Sequence, residues 1–436
     1  MSRRGKDRVS CCRKSKSRLG GQLPRLLSIG LLGAALVFAE GASAEAGWLA
    51  PRPVRVRIVS DQQRVTIADA GGSTVQVAAG PGGLTVDGRS AGAVWRTTAE
   101  SGPYRVKTRP GGDALEVRGR LEFRRTPTGL SVINEVSLEN YVVGTLGAEM
   151  YASWEAAALQ AQAVACRSYA LYQMARRSDR GFDVEADVRS QRYLGVRGES
   201  DSAWAAVRAT SGQIISYDGQ PALAAFHSAS GGRTASAKEV WGTSISYLRS
   251  VPVANEDDSP DTYWRASVSD EDLGKMLAHL GHDIGAVTSV KVGKRSSSGR
   301  VSELRFRGGK GRATVTGREL RQVLGGTTIK STMFEVRFEV RFELRREVGE
   351  VVFVGSGNGH GVGMSQWAAQ AMAEEGADYR EILGNFYPGT DLVSIADQRR
   401  RFAKLPAVSE PGKRVGTELP ARSPGQLGGL IGEQSR

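Results

Sequence analysis

Cysteine is scarce in this 436-residue chain. Cys11 and Cys12 stand in a basic leader, so only Cys166 belongs to the body and no disulfide can form within it. Histidine is also sparse, with four in all, and no close pair among them has Cys or His partners at zinc-ligand spacing. No metal and no cofactor are therefore expected. After residue 44 no apolar run reaches the ~20 residues that a transmembrane helix needs. Zinc-finger spacing and aromatic RNA-binding motifs are missing too, which removes the common nucleic-acid modules.

The net charge of +13 would suit a nucleic-acid binder, but its distribution does not. Residues 1–44 carry +7 and residues 398–436 carry +5, which leaves the body at +1. A nearly neutral body between two basic ends offers no basic stripe for nucleic acid.

The leader reads as a signal peptide over residues 1–44. Arg3, Arg4, Lys6, Arg8, Arg13, Lys14, Lys16, Arg18 and Arg25 make a positive n-region. Leu26 to Ala39 is uncharged and largely apolar, and Ala42-Ser43-Ala44 is a small-x-small cleavage signal. An uncleaved N-terminal anchor is the other reading. It would be the only membrane contact, and either way the body is exported.

Residues 45–128 read as a β-rich region without a catalytic constellation. Val54-Arg-Val-Arg-Ile-Val59 alternates at the period of a half-buried strand. Arg64–Ile67, Val75–Val77, Leu84–Val86 and Leu115–Val117 are short strand candidates, and Asp87-Gly88 is a hairpin-turn signal. Residues 129–397 read as a mixed α/β domain with a cleft, giving an α+β fold overall. Its clearest helix runs from Ser153 to about Arg176, with Ser153 as N-cap, Glu155 in the first turn and alanines as strong helix formers. Thr316-Gly-Arg-Glu319 is a capping box for a second helix that stops at Gly325-Gly326. Phe334 to Arg345 alternates throughout, as one long strand with a solvated charged face would. From residue 398 the composition predicts a disordered basic tail.

Three stretches could carry chemistry. Leu138-Glu-Asn-Tyr-Val-Val-Gly-Thr-Leu-Gly-Ala-Glu149-Met150 places a carboxylate between apolar neighbours, just ahead of the Ser153 helix. Burial there would raise its pKa, as a general acid requires. An ion pair with Arg167 or a satisfied turn carboxylate would also explain it. Phe226-His227-Ser-Ala-Ser-Gly-Gly-Arg-Thr234, followed by Glu239-Val-Trp241, suits a loop whose backbone approaches a ligand closely. His227 with Ser228 or Ser230 could form a hydrolase dyad, but no Gly-x-Ser-x-Gly elbow is present. Gly355-Ser-Gly-Asn-Gly-His360-Gly-Val-Gly-Met-Ser365-Gln366-Trp367 joins a strand to an Ala-rich helix. Its glycine register fits neither nucleotide-binding fingerprint, so a tight loop placing His360 and Gln366 at a cleft is the better reading.

Together these strings resemble the stage II sporulation protein D family, which includes amidase-enhancer proteins. The matching elements are Leu138-Glu-Asn-Tyr141, Glu149-Met150, Leu159-Gln-Ala-Gln-Ala-Val-Ala-Cys-Arg167, Phe226 to Gly232 and Gly359 to Gln366. Val315 to Arg321 and Tyr387-Pro-Gly-Thr390 resemble further family signatures, so the likeness spans about Arg118 to Leu392. Gln160, Tyr151 and Cys166 replace a usual Lys, Pro and Ala. Zinc-binding relatives use cysteines that are missing here.

The resemblance implies a lytic transglycosylase acting on peptidoglycan glycan strands stripped of stem peptides, with Glu149 as its acid and base. It also implies Arg167, Gln162, His227, Ser228, Ser230, Trp241, His360, Ser365 and Gln366 as substrate-binding residues. The resemblance, not the spacing, nominates Arg167. The alternative it implies is a non-catalytic glycan binder that stimulates a partner amidase of the cell wall.

Overall fold

The structure, a computed structural model, describes residues 52–97, 103–109, 111–177, 181–343 and 346–403. The expected signal peptide and most of the basic tail lie outside the described residues. Strands and helices both contribute, as expected for an α+β chain.

Two sheets build the N-terminal part. One is antiparallel, ordered Arg89–Gly92, Gly83–Val86, Thr74–Gly80, Arg64–Ala68, Tyr104–Lys107 and Leu115–Val117. The Asp87-Gly88 turn closes one of its two-residue hairpins. Both residues have positive φ, 46° and 81°, the backbone that a two-residue hairpin loop demands. The other sheet is ordered Val184–Glu185, Val54–Gln62, Gly129–Val136, Arg120–Thr126 and Val94–Arg96. The Arg120–Thr126 and Gly129–Val136 strands pair as a hairpin. The division expected between residues 128 and 129 therefore falls inside a β-turn connection. Hydrogen bonding ties the first strand, Val54–Gln62, to two strands beyond that division, Gly129–Val136 and Val184–Glu185.

Against these sheets pack two helices, Leu138–Glu149 and Ala156–Arg176. No helix was read from the sequence over the first. Its β-branched Val142, Val143 and Thr145 and its Gly144 and Gly147 are weak helix formers. Burial decides instead, since Tyr141 through Leu146 are fully covered. The glycines are contact points. A Cβ at Gly147 would stand 2.1 Å from the Gly198 carbonyl oxygen, and one at Gly144 would stand 2.9 Å from that of Gly195. The second helix starts later than predicted. Its N-cap is Glu155, not Ser153, and Glu155 makes no side-chain cap bond.

Hydrophobic residues form two cores. The larger unites the N-terminal sheets with the Ala156–Arg176 helix and the segments around residues 203–248 and 362–395. The smaller is built from residues 264–353 alone. Those residues bring two three-stranded sheets, ordered Trp264–Ser269, Arg346–Gly355, Phe334–Glu343 and Val287–Arg295, Val301–Gly308, Gly311–Val315. The Thr316–Glu319 capping box forms as predicted and opens the Gly317–Leu324 helix. The long alternating strand spans Phe334–Glu343 and pairs with Arg346–Gly355; Leu344 and Arg345 lie outside the described residues. The smaller core is an insertion between the His227 loop and the His360 loop. At the C-terminal end, the Ile395–Ala403 helix crosses the expected start of the disordered tail.

Candidate functional site

Glu149 is the last residue of its helix and is 3% exposed. Its Oε1 accepts from the Arg192 N–H at 2.7 Å. Its backbone carbonyl accepts from Gln366 Nε2 at 3.2 Å, and the same Nε2 lies 3.5 Å from Gln162 Oε1. Gln162 in turn donates to Cys166 Sγ at 3.3 Å. Glu149, Gln162 and Gln366, which the resemblance named from separate motifs, thus meet. Burial pushes the Cys166 thiol up, and the nearby Glu149 charge adds to it. Cys166 is an inert packing residue.

Arg167 does not join them. It is fully buried and makes a two-pronged ion pair with Glu139, Nε to Oε1 at 3.0 Å and Nη2 to Oε2 at 2.7 Å. Its Nη1 donates to the Gln213 carbonyl at 3.0 Å. Arg167 therefore braces two helices and a strand, and its guanidinium has no surface to offer a substrate. The ion pair with Arg167 that was one alternative for Glu149 is made by Glu139 instead.

Beside Glu149 the chain exposes aromatic rings. Tyr151 is 55% exposed, and Trp154 and Trp367 meet edge to face with centroids 4.8 Å apart. Tyr151 lies 5.5 Å from Trp154 and 6.3 Å from Trp367. A hollow of about 260 Å³ opens here, lined by Trp154, Asn255, Asp258, Trp367, Gln370 and Glu374 among others. Aromatic faces rimmed by carboxylates and amides suit sugar rings.

The two histidine loops lock together. Phe226–His227 runs parallel to Met364–Ser365, and Ala229 exchanges backbone bonds with Asn358. Gly357, Gly359, Gly361 and Gly363 all have positive φ, so this loop alternates through a backbone that side chains resist. A Cβ at Gly363 would stand 2.0 Å from the Ala225 carbonyl oxygen. His227 Nδ1 lies 3.3 Å from the Val362 carbonyl and its Nε2 lies 2.8 Å from Ser230 Oγ. The neutral ring fits this pattern, donating from Nδ1 and accepting at Nε2. Burial, helped by His360 and Arg300, holds its pKa well below the usual histidine range. Ser230 is thereby bonded to an imidazole, yet it is fully buried, which argues against a nucleophile. Ser228 accepts at its carbonyl from Trp367 N–H, and Ser365 caps the Gln366–Glu374 helix.

Two carboxylates that the sequence reading missed hold these loops. Glu256, 8% exposed, accepts from the N–H groups of Ser230 at 2.7 Å, Gly231 at 2.9 Å and Gly232 at 3.3 Å, and from the Ser365 hydroxyl. Asp261 accepts from Asn358 Nδ2 at 2.9 Å and from Lys330 Nζ at 2.6 Å. Both stand in the acidic stretch Asn255-Glu-Asp-Asp-Ser-Pro-Asp261, whose only sequence signal was that of a solvated loop.

A cleft of about 870 Å³ lies between the insertion and the larger core. Trp241, Gly359 and His360 line one side; Arg300, Arg318, Arg321 and Thr332 line the other. The His360 ring stands 5.6 Å from His227 and 5.5 Å from Trp241. Burial beside Arg321 and Arg300 lowers the His360 pKa to about 3, and burial brings Arg300 down to about 10. At neutral pH the histidine is uncharged and the arginine is charged. Glu149 lines neither hollow. Among the described residues no group of three or more His, Cys, Asp or Glu is placed to hold a metal ion.

Comparison with known proteins fits this layout. The family model described as stage II sporulation protein matches residues 126–217, which include Glu149 and the helix beneath it. A second model, a domain of unknown function, matches residues 240–363 and so contains the insertion. The amidase enhancer of Bacillus subtilis is 28% identical over 300 residues, covering 58% of this chain and 40% of that protein. An uncharacterized protein of Brachyspira hyodysenteriae is 31% identical over 293 residues, 66% of this chain and 76% of its own. Stage II sporulation protein D of Bacillus amyloliquefaciens is 31% identical over 285 residues, 61% of this chain and 76% of the relative. With that extent of likeness to a named member, the chain belongs to the stage II sporulation protein D family.

Proposed function

We propose that this chain is an exported lytic transglycosylase that cuts peptidoglycan glycan strands, denuded of stem peptides, at muramyl residues. One observation carries the reading: a single buried carboxylate, Glu149, ends a packed helix next to an exposed aromatic platform. As an acid, Glu149 gives its proton to the glycosidic oxygen, and the bond from that oxygen to the muramyl C1 breaks. Positive charge develops at C1 as in other glycoside cleavages. The carboxylate then takes the proton of the same sugar's C6 hydroxyl, whose oxygen closes on C1 as a 1,6-anhydro ring. Glu149 ends as it began and no water is consumed. An internal nucleophile explains why one carboxylate suffices where hydrolases use two.

Gln366 holds the Glu149 backbone carbonyl and is itself held by Gln162, and the Arg192 N–H fixes one carboxylate oxygen. His227, Ser228, Ser230 and Ser365 shape the loops behind the groove, while Trp241 and His360 face the cleft. The leader of residues 1–44 is the basis for export to the cell envelope. A second reading, a non-catalytic glycan binder that stimulates a cell-wall amidase, is favoured by the low exposure of Glu149 and by the match to an amidase enhancer.

Glu149→Gln separates the readings. Gln keeps the shape but can neither donate nor accept the proton, so anhydro-end formation should fall by about 10²–10⁴-fold or more with melting unchanged. A folded variant that forms anhydro ends at the wild-type rate would move the chemistry elsewhere. A wild type that forms none, yet accelerates an added amidase, would establish the enhancer.

A further inference from the structure

The cleft between the insertion and the larger core gathers hydrogen-bond donors. Arg300, 3% exposed, heads the Val301–Gly308 strand. Its Nη2 donates to the carbonyls of Ser230 at 2.7 Å and Arg233 at 3.3 Å. Its Nε and Nη1 are buried and have no acceptor among the described residues. Glycine at 361 makes room for the guanidinium, since a Cβ there would stand 2.3 Å from Nη2 and 2.4 Å from Cζ. Trp241 Nε1, on the facing wall of the cleft, also has no acceptor among the described residues. His360 Nδ1 accepts from the Val362 N–H at 3.0 Å, so the neutral ring carries its proton on Nε2. The Phe226 carbonyl lies near that ring without closing a hydrogen bond to Nε2.

The Arg300 guanidinium also has no carboxylate in contact with it among the described residues. Glu256 and Glu239 act on Arg300 through space, but their oxygens bond to other donors. Glu256 is bonded to Ser230, Gly231, Gly232 and Ser365. Glu239 accepts from Ser236, Ser297 and Ser298, and Glu319 closes the helix cap with Thr316. A buried guanidinium with idle N–H groups is costly unless an acceptor meets it, and an anion meets it best. Arg318 and Arg321 line the same cleft and add to the positive field.

We infer that this cleft is a carboxylate-binding subsite, in which Arg300, with Trp241 and His360, receives the free lactyl carboxylate of a muramyl residue that has lost its stem peptide. The assignment rests on the proposed glycan substrate and supplies a reason for preferring denuded strands. A lactyl group still joined to a peptide is a neutral amide. It brings no charge to Arg300 and adds bulk at the cleft. The acid form pairs with the guanidinium, and the amide leaves it unpaired.

The test reads binding by titration calorimetry on the full chain carrying Glu149→Gln, so that cleavage does not intervene. Three ligands of equal length are compared: a denuded glycan oligomer, the same oligomer with its carboxylates converted to methylamides, and a chitooligosaccharide. The acid oligomer should bind about tenfold or more tighter than either of the others, as a charge-assisted bond to a buried arginine predicts. Adding Arg300→Gln should erase that gap while leaving the methylamide affinity where it was. Equal binding of acid and methylamide oligomers overturns the inference, and this comparison needs no Arg300 variant to fold. Inorganic phosphate that binds tighter than the acid oligomer overturns the carboxylate assignment, whereas weak phosphate binding supports it. Acid preference in a wild type that forms no anhydro ends would keep the subsite and remove the transglycosylase. Anhydro ends from acid and methylamide strands with equal affinity would do the reverse.

Discussion

Around the larger core, the side chains nominated for chemistry stand in strings of glycine, serine and alanine. Such residues are rarely kept together for packing alone. In the insertion of residues 264–353, the side chains facing the cleft include Arg300, just ahead of a strand, and Arg318 and Arg321 on a short helix. Strand arginines normally cover a solvated face, and nothing in the sequence separates Arg300, 3% exposed, from Arg307, which is exposed. A motif is visible when the backbone itself must be unusual. It is invisible when an ordinary side chain is made unusual by what folds over it.

The contrast can be broken at its strongest point in the larger core. Arg167→Ala should destabilise the protein by about 3 kcal/mol, because it empties a fully buried site and removes the partner of the partly exposed Glu139. Urea midpoints check this. The fraction that remains folded should keep wild-type turnover, since Arg167 has no exposed surface. Lost turnover with unchanged stability would restore Arg167 to the substrate. The matching change in the insertion is Leu320→Ala, at a fully buried position. A loss of about 3 kcal/mol is expected from transfer and cavity terms. Its catalytic signature should be a raised KM with kcat intact, because Arg300 and Arg321 shift while Glu149 does not. A fall in kcat alone would show that the insertion acts on the carboxylate rather than on the cleft.

The smallest effect is in pH. His227 and His360 have folded pKa values depressed below the unfolded value. The unfolded chain then binds more protons below that value. Their contribution is complete above the unfolded histidine pKa and is lost as pH falls through the window toward the folded values, for His360 about 3. The slope should be on the order of 1 kcal/mol per pH unit for each histidine. Denaturation at pH 7, 6, 5 and 4 measures it, and His360→Gln should flatten it. An unchanged slope would mean that His360 is already charged in the fold.

Much of the fold was legible. The hairpin turn at Asp87-Gly88, the Thr316 capping box and the Phe334 strand each rest on local rules that tertiary packing did not override. The Leu138–Glu149 helix was not legible, because its propensity is poor and glycine contacts with residues 195 and 198 support it. The meeting of Glu149, Gln162 and Gln366 came from resemblance, since spacing cannot bring together residues more than two hundred apart. Glu256 and Asp261 were missed because an acidic loop looks solvated until other loops cover it.

The central claim is that Glu149 drives closure of an internal hydroxyl on the muramyl C1, and product analysis in heavy-oxygen water tests it most directly. Denuded glycan is incubated with the purified protein in that solvent, and the new ends are weighed by mass spectrometry. The account predicts new muramyl ends that carry no heavy oxygen and are one water lighter than a hydrolysed end. New ends that have gained one heavy oxygen would show that water is the nucleophile and would contradict it.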